Sequence, residues 1–247
     1  MRFLRAAALT AILLVSTSFM GSSPAPHHSG HSEMSRVELA AWNSSVTVWN
    51  GKGYGSGTYV TYEGWPMVLT AYHVIANTPL SLIRTDDVAV TPAIPVYTDP
   101  DNDLALLLLP AELSGRIPVP FGPRRVSTMD VGEATISVSS PNANSRLLLN
   151  GRVAGYNGTR NMWVHGLTWF GASGSALFDK RGRFIGLLSG MDHALGLNEP
   201  MENLIVVEPI EIDWDVLFRL ATSKPSEVLS NEQGLPVVEE TVEAAKP

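Results

Sequence analysis

The chain of 247 residues carries 17 Lys plus Arg against 24 Asp plus Glu, a formal charge of −7, with 45% hydrophobic and 17% charged residues. This composition excludes a wholly disordered chain and a polytopic membrane protein, and a sequence pI near 5.3 without a long basic run leaves no footprint for nucleic acid as a partner. No cysteine is present, which removes disulfides, thiolate metal sites and a Cys nucleophile together.

Residues 1–30 read as an export signal: Arg2 and Arg5 supply a positive start, residues 6–15 an apolar run, and residues 16–30 a small, Pro-containing flank. The apolar run is shorter than the roughly 20 residues of a spanning helix. A secreted or periplasmic product is therefore expected, with membrane attachment only if the segment stays uncleaved, a possibility that extending the run to Met20 keeps open. His27, His28 and His31 follow in a Ser/Pro/Gly-rich linker that offers a metal no fixed scaffold. No metal or other cofactor is expected.

From about residue 38 to residue 222, short β-rich runs alternate with Gly, Pro, Asn and Asp turns. The pattern predicts strands at 45–49, 57–62, 67–70, 80–84, 88–96 and 104–109, then a Pro-rich break at 110–123 that reads as a linker, with Pro118, Pro120 and Pro123 inside it. A second set is predicted at 134–139, 146–154, 162–164, 175–178, 184–188 and 204–207. Two groups of six short strands point to an all-β fold of two six-stranded antiparallel β-barrels, the first at about 38–115 and the second at about 124–208. A C-terminal helix is predicted at 210–220, where Ile210, Trp214, Leu217 and Phe218 share one face. Residues 223–247 read as an acidic flexible tail, with Glu227, Glu232, Glu239, Glu240 and Glu243 against Lys246 beyond Pro225.

Three segments carry candidate chemistry. Leu69-Thr70-Ala71-Tyr72-His73-Val74 is a strand running directly into a histidine, and an imidazole fixed by rigid backbone suits general-base work. Asp99-Pro100-Asp101-Asn102-Asp103-Leu104 is an acidic turn opening an apolar strand. A carboxylate there can orient a histidine ring, or can simply close an Asx turn. Phe170-Gly171-Ala172-Ser173-Gly174-Ser175 frames a serine with glycines whose turn lets the amides of Gly171 and Ser173 converge as an oxyanion hole. It is not the nucleophile elbow of α/β hydrolases, because Ser175 occupies the last glycine position and no βαβ alternation surrounds it.

In this order the segments resemble the trypsin-like serine proteases, and in particular the disulfide-free bacterial HtrA and glutamyl endopeptidase types. The resemblance spans residues 46–218 and rests on Thr70-Ala71-x-His73, Asp103-Leu104-Ala105-Leu106 and Gly171-x-Ser173-Gly174, with Gly55-Ser56-Gly57 upstream and Phe184-Ile185-Gly186-Leu187-Leu188-Ser189-Gly190 downstream. It implies a serine endopeptidase acting on proteins or peptides through an acyl-enzyme. Ser173 would be the nucleophile, His73 the base, Asp103 its orienting carboxylate in preference to Asp101, and Gly171 and Ser173 the oxyanion donors. Ser189 would support the carboxylate, and the edge from Ser189 to Met191 would pair with substrate.

Two positions depart from the family pattern: Ala172 replaces the usual Asp or Asn, and Ser175 the second glycine. Without the acid, a zymogen switch based on a salt bridge to a freed N-terminus cannot act through residue 172. The specificity pocket implied by the resemblance is walled by Leu167, Thr168, Trp169 and Phe170 on one side and by Leu188, Gly190 and Met191 on the other. Leu167 provides no counter-charge for Arg or Lys, and Leu188 stands where glutamyl endopeptidases place a histidine, with His165 and His193 nearby. A small or medium apolar P1 residue is expected. No PDZ domain fits beyond residue 220, so a monomer is expected. The alternatives are an inactive protease-fold binding module and an unrelated secreted β-barrel adhesin.

Overall fold

The computed structural model describes residues 33–62, 64–85, 89–120, 129–141, 146–157, 161–193 and 200–208, all within one compact unit spanning Ile12–Glu211. The expected export segment, the histidines 27, 28 and 31, the helix at 210–220 and the acidic tail lie outside the described residues.

Helix α1 (Arg36–Ser44) comes first, and the strand reading did not include it. Its start is a capping box: the Ser35 hydroxyl accepts from the Glu38 amide at 3.3 Å, and the Ser35 amide donates to Glu38 Oε2 at 2.8 Å. The helix leans on the second barrel, where the Arg146 guanidinium lies 4.4 Å from the centre of the Trp42 ring. Its C-terminus runs directly into the first barrel.

That barrel is built from β1 (Ser45–Trp49), β2 (Tyr54–Tyr62), β3 (Trp65–Thr70), β4 (Ser81–Thr85), β5 (Ala89–Asp99) and β6 (Leu104–Leu108), with the one-turn helix α2 (Tyr72–Ile75) after β3. The hydrogen-bonded order β1-β4-β5-β6-β3-β2 closes through antiparallel pairing of β1 with β2. Closure leaves no barrel edge open to aggregation. Register is set by pairs such as Val48 with Gly55, Val60 with Met67 and Leu69 with Leu106. Val48, Val60, Leu69, Ile83, Leu106 and Leu107 are fully buried, each side chain contributing about 1.5–3 kcal/mol by leaving water. Packing of this kind stands in for the missing disulfides.

The Pro-rich break is not a free linker. Leu113 is buried, Arg116 Nε donates to the Ser45 carbonyl at 2.9 Å, and the Ile117 amide donates to the Asn43 carbonyl at 3.0 Å. Strand β7 (Val119–Pro120) then adds in parallel to β2. Proline spacing marked the absence of a long strand, but not that the segment is strapped to the barrel wall. Residues 121–128 lie outside the described residues.

The second barrel comprises β8 (Ala134–Ser139), β9 (Leu147–Asn157), β10 (Asn161–His165), β11 (Ala176–Asp179), β12 (Phe184–His193) and β13 (Pro200–Glu208), closed in the order β10-β13-β12-β11-β8-β9. Its core holds Val153, Met162, Val164, Ala172, Leu177, Ile185, Leu188 and Val207. The all-β double barrel predicted from turn spacing is the observed fold. The barrels meet where β2 faces the loop before β11: the Ser56 amide donates to the Ser173 carbonyl at 2.8 Å, and the Ala176 amide donates to Thr58 Oγ1 at 3.2 Å.

Candidate active site

Strand β3 ends at Thr70, and His73 stands in α2 rather than at the strand's end, as the sequence had suggested. The reason is a capture across 30 residues: the amides of Tyr72 and His73 donate to the Asp103 carbonyl at 3.0 Å and to Asp103 Oδ1 at 2.8 Å. These bonds wind a single helical turn that no local propensity requires. Asn50, unnoticed in the sequence, holds the turn from its other side, its Nδ2 donating to the Val74 carbonyl at 2.7 Å. The Asn50-Gly51 turn dipeptide was the available signal.

Asp103 precedes β6 with φ +48, a left-handed conformation that Asp tolerates better than most residues. An Asx turn prepares it, the Asn102 amide donating to Asp99 Oδ1 at 3.1 Å. Its carboxylate meets the His73 ring, Nδ1 to Oδ2, at 2.8 Å, and the Ser189 hydroxyl donates to the same Oδ2 at 2.5 Å. Burial alone would push the Asp103 carboxyl up. Hydrogen bonds from the His73 ring, the Ser189 hydroxyl and the His73 amide outweigh it and hold the carboxyl below its ordinary value. An ionised Oδ2 requires a proton on Nδ1, which leaves Nε2 of a neutral ring free to accept. Asp101, the competing carboxylate, is exposed and makes no hydrogen bond to His73.

Ser173 is half-buried in the loop before β11, and its hydroxyl donates to the Ser189 carbonyl at 2.9 Å. No hydrogen bond joins it to His73. Gly171 at φ +93 and Gly174 at φ +90 shape the loop. A Cβ on Gly174 would lie 2.2 Å from the Ser56 carbonyl oxygen, so the two barrels approach closely only because that side chain is absent. The amides of Ala172, Gly174 and Ser175 donate to the carbonyls of Trp169, Leu188 and Ala172. Those of Gly171 and Ser173 make no hydrogen bond to any described residue.

Both departures fit locally. Ala172 is buried in the core of the second barrel. Ser175 is fully buried without a positive φ, so its position does not need glycine, and its hydroxyl lies 2.8 Å from the Ala172 carbonyl and 2.7 Å from Ser139 Oγ.

The expected pocket walls divide into two kinds. Leu167 and Phe170 are 66% and 68% exposed, with Trp169 edge-on to Phe170 at 5.8 Å. Thr168 and Leu188 are buried, and the Thr168 hydroxyl has no partner among the described residues. Leu188 packs into the barrel core and, together with Leu167, lines a cavity of the second barrel. Gly190 and Met191 pair on one side with Val206 and Ile205 of β13. On the other side β11 pairs no further along β12 than Leu187, so the backbone from Ser189 onward is an edge among the described residues. His165 is exposed. Of the His193 side chain nothing is described.

Known proteins agree with this architecture. The serine endoprotease from Yersinia pestis superposes with a TM-score of 0.60 at 20% identity, covering 74% of this chain and 65% of its own. The HtrA-type protease AlgW, determined with a decapeptide, gives a TM-score of 0.59 at 18% identity, covering 75% and 66%. The chain thus spans just under two thirds of both. Rv3671c from M. tuberculosis, in an inactive form, gives a TM-score of 0.58 at 19% identity, covering 88% of this chain and 99% of its own. Among curated proteins no sequence match is found. The trypsin-like peptidase domain family matches residues 55–187, more than half of the chain and the part that contains His73, Asp103 and Ser173. The chain belongs to the trypsin-like peptidase domain family.

Proposed function

We propose that the protein is a serine endopeptidase that hydrolyses peptide bonds through Ser173, His73 and Asp103 and an acyl-enzyme intermediate. The observation that carries this reading is the line of hydrogen bonds from Ser189 through Asp103 to His73, beside a serine whose loop offers two amides without partners among the described residues. In the reaction the Ser173 hydroxyl turns from the Ser189 carbonyl toward Nε2 of His73, which takes its proton as Oγ bonds to the substrate carbonyl carbon. The amides of Gly171 and Ser173 receive the negative oxygen. The imidazolium, stabilised by Asp103, then gives the proton to the leaving amine. Water attacks the acyl ester by the same route and regenerates Ser173.

Substrate backbone would add along the edge beginning at Ser189, in the manner of strand addition, and its amide would compete with the Ser173 hydroxyl for the Ser189 carbonyl. Binding thereby frees the nucleophile. The apolar lining that Leu167 and Leu188 share with Val164, Leu177 and Ile205 favours a small or medium apolar P1 residue. Peptides, the ligands named for AlgW, are the proposed substrate class. Export directed by residues 1–30 belongs to the same reading.

The Ser173 hydroxyl on Ser189 rather than on His73 favours a second reading, an inactive binding module. A fluorophosphonate probe separates the two. Covalent labelling of the wild type that disappears in Ser173→Ala supports the peptidase. A folded wild type that never labels supports the binder.

A further inference from the structure

Ser56 lies in β2 of the first barrel, is fully buried, and reaches the nucleophile loop through both its amide and its hydroxyl. Its amide donates to the Ser173 carbonyl at 2.8 Å, and its carbonyl accepts from Thr70 Oγ1 at 2.7 Å. Its hydroxyl donates to the Gly171 carbonyl at 2.7 Å and accepts from the Ser140 amide at 2.8 Å. The single hydroxyl proton is thus assigned to Gly171, because the Ser140 N–H can only donate.

The two amides without partners among the described residues belong to the Phe170–Gly171 and Ala172–Ser173 peptides. The Gly171 carbonyl belongs to the peptide lying between them, and the Ser173 carbonyl to the peptide immediately after. Ser56 therefore fixes two peptide planes that alternate with the donor planes. Gly171, at φ +93 and without a Cβ, has the freedom to let its neighbouring peptides rotate. We infer that Ser56 is a positioning residue that holds the amides of Gly171 and Ser173 in register for the substrate oxyanion, through its hydroxyl to the Gly171 carbonyl and its amide to the Ser173 carbonyl. The inference rests on the peptidase reading for its catalytic consequence, but not for the clamp itself. Donors in such a site act by standing ready where charge develops, so misplacing them lowers turnover more than substrate binding.

The test compares wild type, Ser56→Ala and Ser56→Cys, with Thr58→Val as control, because the Thr58 hydroxyl also bridges the barrels yet does so by accepting from the Ala176 amide, outside the 171–173 peptides. Cysteine keeps a side chain beyond Cβ but is a weak donor, so it decides the matter if the alanine variant does not fold. Steady-state kinetics on a chromogenic peptide substrate should show kcat lowered about tenfold to a hundredfold in the Ser56 variants, KM within about threefold of wild type, and kcat retained in Thr58→Val. Amide hydrogen exchange of the 169–175 segment should be at least about tenfold faster in the Ser56 variants. Unchanged kcat, or an equal loss in Thr58→Val, overturns the positioning role. If the wild type turns nothing over, the peptidase reading fails and exchange alone judges the clamp: faster exchange upholds it, and unchanged exchange overturns it.

Discussion

The hydroxyl of Ser173 donates to the backbone carbonyl of Ser189 at 2.9 Å. Ser189 in turn donates its own hydroxyl to Asp103 Oδ2 at 2.5 Å, so a single residue of β12 touches both Ser173 and the carboxylate bonded to the His73 ring. Its side chain and its carbonyl make separate contacts, and substitution can remove the first while keeping the second. In Ser189→Ala the carbonyl stays for the substrate backbone, while the half-buried carboxylate loses a charge-assisted hydrogen bond worth about 1.5–3 kcal/mol. The expected outcome is a fall in kcat of about tenfold to a hundredfold with KM nearly constant, read by steady-state kinetics. A rise in KM with unchanged kcat would place Ser189 in substrate binding alone.

Acid should unfold the protein partly through two carboxylates. Burial would raise Asp179, but it is held below its ordinary value by hydrogen bonds from the Arg183 amide and side chain and the Arg181 amide and by the Arg183 charge, with Arg183 Nη2 at 2.7 Å. Asp103 is lowered likewise. A carboxyl depressed in the folded state contributes stability that is complete above its unfolded value, near about pH 4, and is lost as pH falls through the folded value. Urea midpoints should therefore fall as the pH drops below about 4. In Asp179→Ala the protein should lose about 3 kcal/mol at pH 7 and show a shallower acid decline. An unchanged acid slope would mean that Asp179 contributes nothing to it.

Glycine substitutions should separate backbone strain from steric conflict. Gly64 has φ +76 with nothing within 4 Å of a built Cβ, whereas Gly174 has φ +90 with the Ser56 carbonyl oxygen at 2.2 Å and Thr70 Oγ1 at 2.4 Å. Gly64→Ala should cost about 1–2 kcal/mol and leave activity intact. Gly174→Ala should cost more than about 3 kcal/mol and abolish activity, because the loop that carries Ser173 cannot seat against β2. Equal losses in denaturant titrations would remove the argument for close approach.

The Thr168 hydroxyl, buried without a partner among the described residues, tests the proposed P1 preference. Thr168→Val removes a polar group that the fold does not satisfy, so stability should stay equal or rise slightly, and cleavage after apolar residues should persist. Selective loss of cleavage after acidic or amide side chains would show that the hydroxyl serves a polar P1 group instead.

The double barrel was legible because short alternating strands separated by turn residues carry their period locally, and β1 and β8 have the predicted bounds. The motifs around His73, Asp103 and Ser173 were legible because each is contiguous. Contacts that join distant segments were not. The bond from Ser56 to Gly171 crosses 115 residues, and α2 is wound by Asp103 from 30 residues away. Neither leaves a periodic trace. Helix α1 did leave one, the Ser35-x-x-Glu38 capping box, which the weakly amphipathic segment behind it concealed.

Digestion of an unstructured protein by purified wild type and Ser173→Ala, with the cut bonds read by mass spectrometry, decides whether Ser173 carries peptidase activity. Cleavage is expected from the wild type alone, after small or medium apolar residues, with the His73→Ala variant as inert as Ser173→Ala. Cleavage that survives in Ser173→Ala, or none by a wild type shown to be folded, would contradict the peptidase reading.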